Sequence, residues 1–237
     1  MEKARSALGE KAHMPIKWVG KHTSTVTYPI SDNKYLNVAL FVRDENEWPR
    51  EDTQVIQSGK EDVVRAYAAH GPALRALCEA LPDKLTRWGL FDTHDHPLST
   101  YAYGAVALAG DAAHGSTPHH GAGAAMGIED ALVLATLLAQ ASGHLSLSGA
   151  TVQKSKVIED VFQVYDAVRR GRSQWLVWSS RYQSALDKGE IEGIERDRVK
   201  YVESTAERTA KVFDHDWRQT VQQSENMLRA RLEVAAV

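Results

Sequence analysis

The stretch Gly104 to Gln140, GAVALAGDAAHGSTPHHGAGAAMGIEDALVLATLLAQ, constrains this chain more than any other. Its apolar run Val106 to Ala109 has the length and boundaries of a strand buried on both faces, and it breaks at Gly110-Asp111. A loop follows that holds Pro118, Gly121 and Gly123. From Gly123 onward, Met126, Ile128, Leu132, Val133, Leu134, Leu137 and Leu138, with alanines between them, predict a mostly buried helix packed closely on a sheet. The unit is therefore strand, acidic turn, loop and helix.

Each part of the unit has a chemical use. A lone Asp at the C-terminal end of a strand lies where open α/β sheets bind ligands, and its carboxylate accepts hydrogen bonds from hydroxyls. Pro118 stiffens the loop, and Gly121 and Gly123 let backbone approach a flat ring with no Cβ in the way. The helix that starts there turns unpaired N–H groups and the positive end of its dipole toward the loop. That end suits a group that gains negative charge, such as the N1–C2=O edge of a reduced flavin.

These residues resemble a known family. Gly110-Asp111-Ala112-Ala113-His114, then Pro118, Gly121-Ala122-Gly123 and Glu129-Asp130-Ala131, are similar to the second FAD motif of flavin-dependent aromatic hydroxylases of the salicylate hydroxylase type. Tyr28-Pro29-Ile30 with Asn37, Trp88-Gly89-Leu90-Phe91-Asp92 with Pro97-Leu98, and Tyr165 with Arg169 extend the resemblance over roughly Pro15 to Ser180. It implies that Asp111 holds the ribityl chain of FAD, and that Pro118 and the backbone of Gly121, Ala122, Gly123 and Ala124 line the isoalloxazine ring. It also implies NAD(P)H as reductant and oxygen transfer to a small aromatic substrate, and it names no catalytic side chain. The usual Gln and Asn of the glycine loop are here Ala122 and Ala125.

The family opens with a strand–Gly-x-Gly-x-x-Gly–helix unit for the ADP part of FAD, and this sequence holds no such unit. Gly121, Gly123 and Gly127 space the third glycine one residue too far, and they follow His119-His120 instead of a strand. The chain therefore reads as the C-terminal part of a larger enzyme or a shortened relative. The other reading is a binding or scaffold protein without redox activity that needs a partner to bind FAD.

Composition bounds these readings. With 237 residues, 43% hydrophobic, the chain can fill a real core. A net charge of −3 with mixed signs leaves no electrostatic footprint for nucleic acid or a membrane surface. No run of ~20 apolar residues is evident, and MEKARSALGEK lacks a signal peptide's apolar core. Cys78 is the sole cysteine, which excludes an internal disulfide and favours a cytoplasmic location.

Along the chain, Met1 to Met14 reads as a frayed helix or a disordered start, and Pro15 to Val42 as two or three antiparallel strands around the turn Ser31 to Lys34. Helices are expected at Ser58 to His70 and Ala73 to Ala80, and a strand at Trp88 to Phe91. His94-Asp95-His96-Pro97 reads as a polar turn, and His114, His119 and His120 lack the spacing of a metal site. Residues Ala141 to Gly149 read as a linker, Lys154 to Leu186 as a helix with an aromatic stripe, and Glu190 to Val237 as one or two long helices. The expected fold is α/β, or α+β in this shortened form, with segments 1–98 (substrate-domain-like sheet and helices), 99–185 (second FAD motif and following helices) and 186–237 (helical extension). Because the expected strand Val106 to Ala109 lacks flanking partners, the chain is expected to form a homo-oligomer, to meet a separate N-terminal half, or to fold its own N-terminal or C-terminal helices over the gap.

Overall fold

The computed structural model describes residues 1–148, 153–195 and 197–234. By contacts the chain divides into two units, Met1–Leu90 with Ser184–Tyr201, and Phe91–Gln183 with Val202–Val237. Residues 186–237, expected as one extension, thus contribute to both.

In the first unit the threonine-rich segment Thr23–Ile30 is the central strand β2, flanked by β1 (Ile16–Gly20) and β3 (Tyr35–Val42). Both pairings are antiparallel, with Ile16 opposite Thr27 and Thr25 opposite Leu40. β-Branched residues suit this pleated surface. The turn between β2 and β3 is left-handed at Ser31, Asp32 and Asn33, a backbone that short polar side chains tolerate. Trp18, Leu36, Val38 and Leu40 pack against Ala4, Leu8, Ala12, Tyr67, Leu74, Leu77 and Cys78. Those residues come from α1 (Glu2–Leu8), a 3-10 turn (Gly9–His13), the residue that closes α2 (Lys60–Ala66), and α3 (Pro72–Glu79). The N-terminal segment is therefore neither disordered nor frayed, because Ala4, Leu8 and Ala12 give it a buried stripe.

A second pair, β4 (Val55–Gly59) and β5 (Lys84–Trp88), corrects two expectations. Ser58 and Gly59 belong to β4, so the helix starts only at Lys60. β5 ends at Trp88, opposite the first residue of β4, after which Gly89 N–H donates to Gln54 O. Leu90 and Phe91 lie beyond the ladder and are exposed.

The second unit holds β6 (Ala102–Tyr103) and β7 (Val106–Ala107), α4 (Asp111–His114), a 3-10 turn (Pro118–His120), α5 (Gly123–Ser148), α6 (Lys154–Asp187), α7 (Arg198–Phe213) and α8 (Trp217–Val234). α6 enters the first unit at Ser184. The core joins Val133, Leu137 and Ala141 of α5 to Val157, Val161, Val164 and Tyr165 of α6 and to Leu228 and Leu232 of α8, with Tyr101 and Ala113 beside them. Where one or two long helices were expected after Glu190 there are two, α7 and α8, and the described sheets are all antiparallel, an α+β arrangement.

Three corrections concern the opening stretch. The strand expected at Val106 to Ala109 is only two residues long, pairs among the described residues with β6 alone, and leaves Val106 65% exposed instead of buried on both faces. α5 is buried on one stripe only: Met126, Val133 and Leu137 are enclosed, while Ile128 is 70% exposed. It also continues through the expected linker to Ser148, because Ala141 and Leu145 prolong the stripe; Gly149 lies outside the described residues. By length and composition alone α5 could cross a membrane, although polar residues such as Glu129, Asp130 and Gln140 keep it from being an unbroken apolar run. Its Asp130 and Glu129, paired with arginines of α6, and its contacts with α8 are those of a core helix.

Candidate functional site

Gly110 caps α4 with φ 60° and ψ −145°, a conformation that favours glycine, and so turns the chain sharply out of β7 into Asp111. Asp111 is the first residue of this four-residue helix and is exposed. At the other end His114 is 1% exposed, and its Nε2 donates to Asp130 Oδ2 at 2.6 Å. The same oxygen accepts the Gly110 N–H at 3.0 Å. Asp130 Oδ1 accepts from Arg169 Nε at 2.9 Å, and Asp130 and Arg169 are both wholly buried.

The charges continue outward. Arg169 Nη1 donates to Glu129 Oε2 at 2.5 Å, Arg172 donates to both Glu129 oxygens, and Arg172 also reaches the carbonyls of Lys211 and Val212 at the end of α7. Burial alone would raise the Asp130 pKa, but His114, the Gly110 N–H and Arg169 together hold it below the ordinary carboxylate range. Tyr165, from the Tyr-x-x-x-Arg pair, donates to Leu108 O at 2.9 Å, and burial pushes its phenol well above the usual value.

The loop past α4 has an anchored side and an open side. Ala113, His114, Ala122, Met126 and Asp130 are buried, whereas Asp111, Pro118, Gly121, Ala124 and Ala125 are exposed. Pro118 opens the 3-10 turn and Gly121 closes it with φ 63°, its N–H donating to Pro118 O at 3.0 Å. A Cβ added at Gly110 or Gly121 would meet nothing within 4 Å, so open space lies before both. Gly127 brings the first turns of α5 close to the Gly110 backbone, its added Cβ falling 3.7 Å from Gly110 Cα.

These observations fit a flat, polyol-bearing cofactor. An acid at a turn, a proline and a left-handed glycine are exposed, as are Ala124 and Ala125 in the first turn of a 26-residue helix, while Ala113, His114, Met126 and Asp130 anchor the same segment in the core. Two expected site residues behave differently from the rest. The Ala122 side chain packs with Met126, Leu176 and Val212, so only its backbone is available to a ligand. Gly123 has ordinary φ, and its Cβ would sit 3.5 Å from Ser116 Oγ.

The sequence reading gave no role to the Asp130–Arg169–Glu129–Arg172 network. Two adjacent acids inside an otherwise apolar helix, and two arginines three apart in α6, were its available signal. The His94 to Pro97 segment is a polar turn, spanned by Arg181, which donates to Asp92 and Asp95. His120 Nε2 lies 2.9 Å from Ser179 Oγ, and no three metal-ligating side chains converge among the described residues.

Comparison with known proteins gives the same direction. Residues 14–146 match the family model described as FAD binding domain. The chain is 39% identical over 234 residues to the FAD-dependent monooxygenase orf3 of Aspergillus niger, covering 98% of this chain and 53% of that protein. It is 40% identical over 167 residues to the salicylate hydroxylase asL1 of Sarocladium schorii, covering 69% of this chain and 35% of that protein. A solved salicylate hydroxylase substrate complex superposes with a TM-score of 0.76 at 30% identity, over 89% of this chain and 49% of that one. The chain thus spans about half the length of the first two of these proteins or less.

Proposed function

The chain belongs to the class A FAD-dependent monooxygenases, and from that premise we propose that it forms the flavin-ring end of an enzyme that hydroxylates a small aromatic molecule with NAD(P)H and O₂. The observation that carries this reading is the open-faced turn and loop from Gly110 to Gly123, with Asp111, Pro118 and left-handed Gly121 exposed above a buried ionic network. Bound FAD would supply the oxygen chemistry, and protein groups would hold and orient it.

Asp111 accepts hydrogen bonds from ribityl hydroxyls through its exposed carboxylate. Pro118 and the backbone of Gly121, Ala122, Gly123 and Ala124 offer the ring an edge free of bulky side chains. The first N–H groups of α5 present partial positive charge where the ring gains electrons, and they need not move to do so. An aromatic substrate is supported by the salicylate hydroxylase likeness in both sequence and structure.

Titration of the purified chain with FAD, followed by flavin fluorescence and absorbance, tests the reading. Saturable binding that Asp111→Ala weakens is expected. A folded chain that leaves the flavin spectrum unchanged at every concentration would overturn it.

A further inference from the structure

We infer that Asp130 is the positioning residue of this site: its carboxylate grips α4 at both ends and so fixes the direction in which Asp111 projects. This rests on the reading of Asp111 as a flavin contact. α4 is only four residues long. Its own backbone bonds are those of a single turn, from the N–H groups of Ala113 and His114 to Gly110 O and from Gly115 N–H to Asp111 O, and Gly110, at its N-cap, has no side chain to cap it. Left alone, such a turn would swing about the flexible glycine.

One carboxylate prevents this. Oδ2 accepts the N–H of Gly110, immediately before Asp111, and also the ring N–H of His114, the last residue of α4. Asp111 lies between these two fixed points. Oδ1 is held by Arg169, which also donates to Met126 O on the preceding turn of α5 and to Glu129. Asp130 and Arg169 are 0% exposed and His114 1%, so water does not compete for these bonds. Both ends of the short helix are thereby referred to the rigid axis of α5, the helix whose first turn faces the same open space. Asp130 touches no ligand in this scheme and acts through Asp111.

Amide hydrogen exchange and flavin titration together test the assignment. In the unsubstituted chain the Gly110 amide should be protected as strongly as core amides of α5, although it sits in a turn. Exchange at Gly110 as fast as at the exposed turn residue Gly104 would overturn the inference with no variant needed. Asp130→Asn keeps the shape but offers one acceptor oxygen instead of two, and should speed Gly110 exchange by about tenfold or more while Val133 and Leu137 stay protected.

The same variant should weaken FAD binding by about tenfold, and adding it to Asp111→Ala should weaken binding no further than about twofold, since residues that act through one another are not additive. Full additivity of the two substitutions would overturn the positioning role. An Asp111→Ala variant with unchanged flavin affinity would instead sink the flavin reading, and Gly110 exchange would still decide what Asp130 does. If Asp130→Asn does not fold, His114→Leu removes one of the two grips alone and should loosen Gly110 in the same direction; unchanged exchange there counts against the inference.

Discussion

At the scale of single residues, the exposed face of the loop separates side chains that touch a ligand from those that hold the loop. Asp111 has its carboxylate in the open, so Asp111→Ala should cost flavin affinity by about 1.5–3 kcal/mol, the range for a hydrogen bond to a charged group, and leave thermal stability nearly unchanged. A fall in stability at constant affinity would make Asp111 a turn residue only. Gly121 and Gly123 were expected to share one role, but their backbones differ. Gly121 has φ 63°, where a β-branched side chain is strained, so Gly121→Val should destabilise the loop by about 1–3 kcal/mol and abolish flavin binding, with Gly121→Asn milder. Gly123→Ala adds a Cβ at ordinary contact distance from Ser116 and should be tolerated in both assays. Equal loss in Gly121→Val and Gly123→Ala, measured by titration and melting, would refute this distinction.

At the scale of elements, what was legible in the sequence was periodicity, and what was hidden was pairing. Met126, Val133 and Leu137 announced α5, and the threonine-rich segment announced β2, because both carry their own pattern. The extent of β7 was not legible, since an apolar run of four does not say whether a partner strand extends alongside it. Ala122 was counted with the cofactor residues because its motif position is visible in sequence, whereas its side-chain direction, into Leu176 and Val212, is set by distant α6 and α7. The β1–β2–β3 sheet carries a device of this hidden kind. His70, past the end of α2, stacks on Tyr67 at 5.0 Å, has Nε2 2.7 Å from Thr23 Oγ1, and fills the space a Cβ at Gly20 would need. Burial lowers its pKa from 6.5. The folded chain therefore takes up the proton at lower pH than the unfolded chain, so stability is complete above pH 6.5 and is lost as pH falls through and below it. The urea midpoint should be lower at about pH 5.5 than at about pH 7.5, and His70→Gln should flatten that difference. An equal pH dependence in the variant would remove His70 as its source.

At the scale of the whole molecule, the second unit leaves apolar surface that a solitary chain would not be expected to keep. Tyr103 is 88% exposed and Val106 65%, both on a hairpin in which β6 is the only partner of β7 among the described residues, and Leu108 just beyond is 38% exposed. On α5, Ile128 and Leu132 lie one turn apart on the outer face, at 70% and 36%, with Leu138 further along at 39%. The approach of Gly127 to Gly110 sets the start of this helix beside the end of that hairpin strand. An unpaired strand edge next to exposed aliphatic side chains is a template for association. We therefore propose that a second copy of the chain covers this face. The purified chain alone should bind an apolar dye and self-associate as its concentration rises. Ile128→Lys with Leu132→Glu should reduce both effects, because the two charges occupy the outer face of α5 and leave Met126, Val133 and Leu137 in place. Light scattering and dye fluorescence on the two proteins decide the matter. A chain that stays monomeric and dye-free at high concentration, with or without the substitutions, would show that the exposed edge and helix face need no partner.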